Sequence, residues 1–323
     1  MIHSILVLLV LGCSLLGSLQ AADKTSLAVE ERLETWKDMA RNREIPVKLY
    51  IPKHAKGPFP LIIFSHGLGG SRDGYAYLGH YWAEHGYVSV HVQHAGSDSK
   101  LVTADSGNAK KALQWAVTRP ENWINRPEDV SFAIDRMLEL NKTDEQLKGR
   151  MDAAKVGVSG HSYGGYTAHA VAGLKVMVGE GMRSFLDTRV KAAIAMSPPG
   201  KLAARVGPEG CAFAVPCLHM MGSNDNSQLF GTEAAERRIP FDTTRSHNQF
   251  LIIVDGADHM VFSGSNWMPG RNREMDMRQQ EAVCRVTQLF WDAFLKGDSV
   301  ARLKWNASTV KELSWGMCAF EQK

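Results

Sequence analysis

Short apolar runs recur along the chain, each followed by a polar or glycine-rich stretch and then by a segment with helical spacing. Residues 45–51 alternate as an outer strand does and stop at Pro52. Residues 61–64, Leu-Ile-Ile-Phe, are a continuous apolar run, as expected of a strand buried on both faces. A helix over 75–85 closed by Gly86 leads to a strand at 87–92. Further strands are predicted at 156–158, 190–195 and 215–221, with 250–254 as the last. Residues 30–42 read as a charged, helix-prone lead-in. The stretch 96–154 is too long for an unstructured loop, so short helices are expected around 108–117 and a firmer one over about 127–140. Val130, Ala133, Ile134, Met137 and Leu138 give that helix its apolar spacing. A closing helix over 278–295 carries Ala282, Val283, Val286, Leu289, Phe290, Ala293 and Phe294 on one face, with Gly297 as its C-cap.

Strands alternating with helices imply a mostly parallel central sheet covered by helices on both faces. In such sheets ligands and chemistry collect at the carboxyl ends of the strands. Four ends here turn polar or glycine-rich: 65–70, 160–164, 223–225 and 258–259. Their coincidence says more than any one motif.

The sharpest motif is Gly160-His161-Ser162-Tyr163-Gly164-Gly165, between the 156–158 strand and the alanine-rich 166–174 helix. Gly-x-Ser-x-Gly on a strand–turn–helix is a nucleophile elbow, which lifts the serine hydroxyl off the end of the sheet. The tight turn leaves no room for side chains at 160 and 164, and Gly165 lets the helix start close against its neighbours. A serine hydroxyl needs a base, and the base needs a carboxylate that fixes its tautomer. Ser162, Asp225 and His259 supply nucleophile, orienting acid and base in that chain order, each just past a predicted strand. Asp255 and Asp258 are rival acids, but they share a loop with His259 and reach back to it awkwardly. His66 is expected to brace its loop, His161 to point away, and His91 and His94 to be structural. The tetrahedral intermediate needs backbone donors, for which Tyr163 N–H and Leu68 N–H are the candidates.

Composition narrows the class. The chain has 323 residues, 44% hydrophobic and 22% charged, with a net charge of +3. That suits one large domain, assigned to residues 23–323, and offers no basic face or arm for nucleic acid. Residues 5–19 are almost wholly apolar and precede Gln20-Ala21-Ala22, so 1–22 reads as a secretory signal and the product as secreted or periplasmic. An uncleaved membrane tether and lipidation at Cys13 are the alternatives; after cleavage no stable membrane span is expected. Four cysteines would remain. Either Cys211–Cys217 and Cys284–Cys318 pair, or all four are buried thiols. No metal site is expected, since no pair has zinc spacing and the histidines are scattered.

Phe64-Ser65-His66-Gly67-Leu68-Gly69, the 160–165 elbow and Asp255-Gly256-Ala257-Asp258-His259 together resemble the α/β-hydrolase superfamily over roughly residues 45–295. They resemble most its branch of platelet-activating-factor acetylhydrolases, cutinase-like polyesterases and chlorophyllase- or dienelactone-hydrolase-like proteins. The resemblance implies an α/β-hydrolase fold and a carboxylic-ester hydrolase working through an acyl-enzyme, without a cofactor. A small-molecule or polymeric ester is then the substrate; no protein partner is implied. Dienelactone hydrolases proper use a cysteine where Ser162 stands. The 197–214 stretch is too short for a lid domain, so the site should be fairly open, partly roofed by 96–154 and 261–273, which carry Trp123 and Trp267. A serine peptidase or amidase on the same fold, or a non-catalytic binding protein, are the competing readings.

Overall fold

The computed structural model describes residues 26–103, 107–227, 229–264 and 270–323. The expected signal segment and Trp267 lie outside them. Strands β1 (Val29–Asp38), β2 (Arg43–Pro52) and β3 (Phe59–Ser65) precede helix α1 (Ala76–Glu84) and β4 (Val88–Val92). Helices α2 (Lys100–Thr103), α3 (Ala109–Thr118) and α4 (Pro120–Thr143) fill the long connection to β5 (Met151–His161), which feeds α5 (Tyr163–Ala172). A hairpin of β6 (Val176–Val178) and β7 (Gly181–Arg183) comes before β8 (Val190–Met196) and α6 (Gly200–Gly210). Then follow β9 (Cys217–Asn224), α7 (Ile239–Thr243), β10 (Gln249–Asp258), α8 (Arg273–Trp291), α9 (Ser299–Lys304), α10 (Ala307–Leu313) and β11 (Cys318–Gln322).

Nine strands form one sheet in the order β1-β2-β4-β3-β5-β8-β9-β10-β11. From β4 to β10 neighbours run parallel. Antiparallel pairs β1–β2, β2–β4 and β10–β11 finish the two edges. Apolar side chains pack on both faces: Leu61 and Ile63 join α4 and α5 residues in one layer, while Ile62 and Phe64 join α1 and α8 residues in the other. That is the architecture of an α/β-hydrolase fold, and both faces are covered because the central strands are apolar at successive positions.

Two expectations need correction. The 30–42 lead-in is not helical but is edge strand β1. Its period of two is hidden because charged groups occupy the inward positions: Arg32 reaches Asp144 at 2.8 Å, and Leu33 faces out at 58% exposure. Inward charge on an edge strand also discourages pairing with another chain. The strand at 250–254 is not the last; the tail returns as β11 beside β10. Of the two alternatives left open for the cysteines, the structure has the second: Cys211, Cys217, Cys284 and Cys318 are buried free thiols.

Register decides where the site sits. Ser65 at the end of β3 pairs with Gly160 of β5, which pairs with Ala195 of β8. Loops leaving these strands therefore emerge side by side. Asp258 pairs with Asn224, which brings the loops after β9 and β10 together on the same rim.

Candidate active site

Ser162 sits between β5 and α5 with φ 55 and ψ −116, a left-handed conformation that a side chain adopts only under constraint. The constraint is packing. A methyl at Gly160 would strike the carbonyl of Gly164, and one at Gly164 would strike the Ser65 carbonyl. The glycines thus let the turn close on itself and against β3, as the motif implies. Ser162 N–H is anchored on Met196 O at 2.8 Å.

Ser162 Oγ lies 3.0 Å from His259 Nε2, and His259 Nδ1 lies 2.7 Å from Asp225 Oδ1. Asp225 is fully buried and the His259 side chain is 17% exposed. One tautomer satisfies both contacts: Ser162 O–H donates to Nε2, and Nδ1–H donates to the carboxylate. Of the rival acids, Asp258 is taken by Arg271 at 2.8 Å and by the Met260 and Val261 N–H groups. Burial pushes the Asp258 carboxyl up, but those bonds win and hold it below its ordinary value. The Asp255 carboxylate meets Ser223 Oγ at 3.4 Å, on the exposed side.

Asp225 has partners that the sequence did not reveal. Ser197 O–H donates to Oδ2, and the buried Arg237 guanidinium lies 3.3 Å from Oδ1 and 3.4 Å from His259 Nδ1. Ser197 ends a predicted strand, which was a usable signal; nothing in the pattern marks Arg237.

The loop after β3 lies against the elbow. Gly67 N–H donates to Tyr75 Oη at 3.0 Å, and the Tyr75 hydroxyl is 2.9 Å from His161 Nδ1. Neither Leu68 N–H nor Tyr163 N–H meets an acceptor among the described residues. Tyr163 follows Ser162 as the first residue of α5, and the turn carrying Gly67 lies against Ser162, whose Cβ is 3.4 Å from where a Cβ on Gly67 would sit.

Histidines outside the line are structural, as expected. His66 Nδ1–H donates to Gly67 O at 2.6 Å while Nε2 accepts His94 N–H at 3.0 Å. His94 connects Asp129 Oδ2 at 3.0 Å to Ser65 Oγ at 3.1 Å. That second Ser–His–Asp line is sealed, with the His94 and Asp129 side chains fully buried, so no substrate reaches it. Burial pushes His94 down to about 3 and it stays neutral.

Folding also gathers a group that spacing does not suggest. Donor atoms of His169, Cys217 and His219 lie within 4.8 Å of one another. His169 Nε2 meets His219 Nδ1 at 3.1 Å, and His219 Nε2 meets Gln249 Oε1 at 3.1 Å. These hydrogen bonds already satisfy the facing nitrogens, and none of the three residues belongs to the Ser162 line. Trp123 packs edge-on to Tyr163 at 4.7 Å and lines a cavity of ≈ 390 Å³ with Val117, Val176, Met177 and Leu202. Among the described residues no helix is long and apolar enough to cross a membrane.

The fold is that of the α/β-hydrolases. Over part of its length the chain is similar to platelet-activating factor acetylhydrolases. The family model for platelet-activating factor acetylhydrolase, isoform II, matches residues 24–124, which include the Leu68 loop and end before Ser162. The acetylhydrolase of Cavia porcellus is 32% identical over 149 residues, covering 38% of this chain and 34% of that protein. The Bos taurus protein is 32% identical over 136 residues, covering 34% and 31%, and the Canis lupus familiaris protein is 29% identical over 149 residues. The matched stretch thus spans about a third of the length of these curated relatives.

Proposed function

We propose that the chain is a serine carboxylic-ester hydrolase. Ser162 attacks the ester carbonyl while His259 takes its proton. The imidazolium that forms is stabilised by Asp225, and His259 then returns the proton to the leaving alcohol. Leu68 and Tyr163 N–H groups hold the oxyanion, each such donor worth ~3 kcal/mol. Water repeats the sequence on the acyl-enzyme. Every proton in this cycle moves between groups of the chain, substrate and water. The observation that carries the reading is the continuous hydrogen-bond line at 3.0 and 2.7 Å, with a buried carboxylate at its far end.

Hydrolysis of p-nitrophenyl esters over a series of acyl lengths tests this. Turnover should peak at short to medium chains, and Ser162→Ala should lower kcat by about 10⁴-fold or more. Full activity in that variant would end the assignment. Faster turnover of the matching anilides would instead favour a peptidase or amidase. Export by residues 1–22 belongs to the same proposal, and N-terminal sequencing of the extracytoplasmic protein checks it.

A further inference from the structure

Arg126 is wholly buried, near the start of α4, and among the described residues it has no carboxylate within ion-pair distance. Asp129, one turn on, is held by Arg41, Arg43 and His94 instead. The Arg126 guanidinium spends its donors on neutral oxygens of three different segments. Nε donates to Thr167 Oγ1 of α5 at 3.0 Å, and Nη1 to Ser97 Oγ of the loop after β4 at 2.8 Å. Nη2 donates to the His66 carbonyl, two residues before Leu68. Its face stacks on the Tyr163 ring with the guanidinium carbon 4.5 Å from the centroid.

Burying a cation without a counter-ion is costly, and an apolar side chain of similar volume would tie the same layers together more cheaply. Burial pushes Arg126 down to about 10, so the group still carries its charge at neutral pH. What distinguishes the position is its two neighbours. The same planar group holds the carbonyl two residues before Leu68 and packs on the side chain of Tyr163, and the N–H groups of Leu68 and Tyr163 meet no acceptor among the described residues. With the His66 carbonyl turned to Arg126 and the Gly67 N–H to Tyr75, the loop has little freedom left to rotate the next N–H.

We propose that Arg126 is a positioning residue of the oxyanion hole: it sets the Leu68 and Tyr163 donors and keeps beside them a positive charge with no direct ion-pair partner among the described residues. This rests on the esterase reading above. The charge matters only when negative charge develops on the substrate, so its effect falls on the transition state and spares substrate binding.

The test uses the full chain with Arg126→Met, Arg126→Lys and Thr167→Val, p-nitrophenyl butyrate as substrate, and two inhibitors. An alkyl trifluoromethyl ketone adds the serine and forms an oxyanion; the matching methyl ketone does not. Arg126→Met should lower kcat by about tenfold or more with KM within about threefold. Inhibition by the trifluoromethyl ketone should weaken by the same factor and that by the methyl ketone should not. Arg126→Lys should recover part of the loss, because it keeps the charge but not the planar fork. Thr167→Val, which removes one acceptor, should show the same split more weakly. If Arg126→Met fails to fold by circular dichroism, the other two variants decide, and wild-type kinetics in both would overturn the proposal. So would a folded Arg126→Met with kcat within about threefold of the parent. Fluorophosphonate labelling separates the two readings: a parent not labelled at Ser162 sinks the esterase assignment, whereas a labelled parent with indifferent variants sinks only the role of Arg126.

Discussion

Asp225 divides its partners between two oxygens. Oδ1 faces His259 and Arg237, and Oδ2 takes the Ser197 hydroxyl and, at 3.4 Å, the Gly222 N–H. Such a carboxylate is locked in place, so removing its charge should change chemistry more than architecture. Asp225→Asn is expected to lower kcat by about 10³- to 10⁴-fold while the far-ultraviolet spectrum holds, since an amide favours the wrong imidazole tautomer. Asp258→Asn should do the reverse. It loosens the Arg271 contact and lowers the melting midpoint, but leaves kcat within about threefold. Equal kinetic losses in the two variants would show that the acid has been misassigned. Ser162, Asp225 and His259 were legible because each lies just past an apolar strand, and parallel strands put such ends on one rim. Arg126 and Arg237 were not legible. A charged residue inside an amphipathic stretch reads as a solvated face, and only three-dimensional packing turns it inward.

Elements were legible where periodicity and burial agree. β3 is apolar up to Ser65 and buried throughout, and α8 keeps its apolar face from Ala282 to Phe290. They were misread where the two part company. β1 buries Trp36 and Asp38 but fills its other inward positions with Arg32 and Glu34, so glutamate-rich composition pointed to a helix. β11 is short, its partner is reached only after α8, α9 and α10, and no local signal announces the pairing. Yet β11 covers the exposed edge of β10, and Phe320 stacks on Phe250 at 6.2 Å and meets Trp305 at 5.6 Å. Ending the chain at Gly316 should therefore uncover a row of backbone donors and acceptors on β10. The expected result is a melting midpoint lower by about 5 °C or more and concentration-dependent aggregation by light scattering. A truncated protein that melts like the parent would mean that this edge strand adds nothing to the sheet.

Across the whole molecule the unusual feature is how many titratable groups are sealed in neutral form. Burial above all pushes His66, His91, His94, His161, His169 and His219 below their ordinary value, His91 to about 3 and His219 to about 4. In the unfolded chain these rings take up protons near pH 6.5, so below that pH the unfolded state binds more protons than the folded one. Stability is then complete above about pH 6.5 and falls as the pH drops, each ring contributing up to about 1.4 kcal/mol per pH unit. The thiols act on the opposite side. Burial raises Cys211 to about 12 and Cys318 to about 11, so the unfolded chain ionises first as the pH passes about 9 and stability is lost on further rise. The urea midpoint should accordingly be highest between about pH 7 and 8 and fall on both sides. Proton uptake on unfolding, read from that acid slope, should be several per molecule at about pH 5. A midpoint that stays level from about pH 7 down to 5 would mean that these rings reach solvent or already carry protons in the folded state, and the sealed hydrogen-bond lines behind the rim would have to be redrawn.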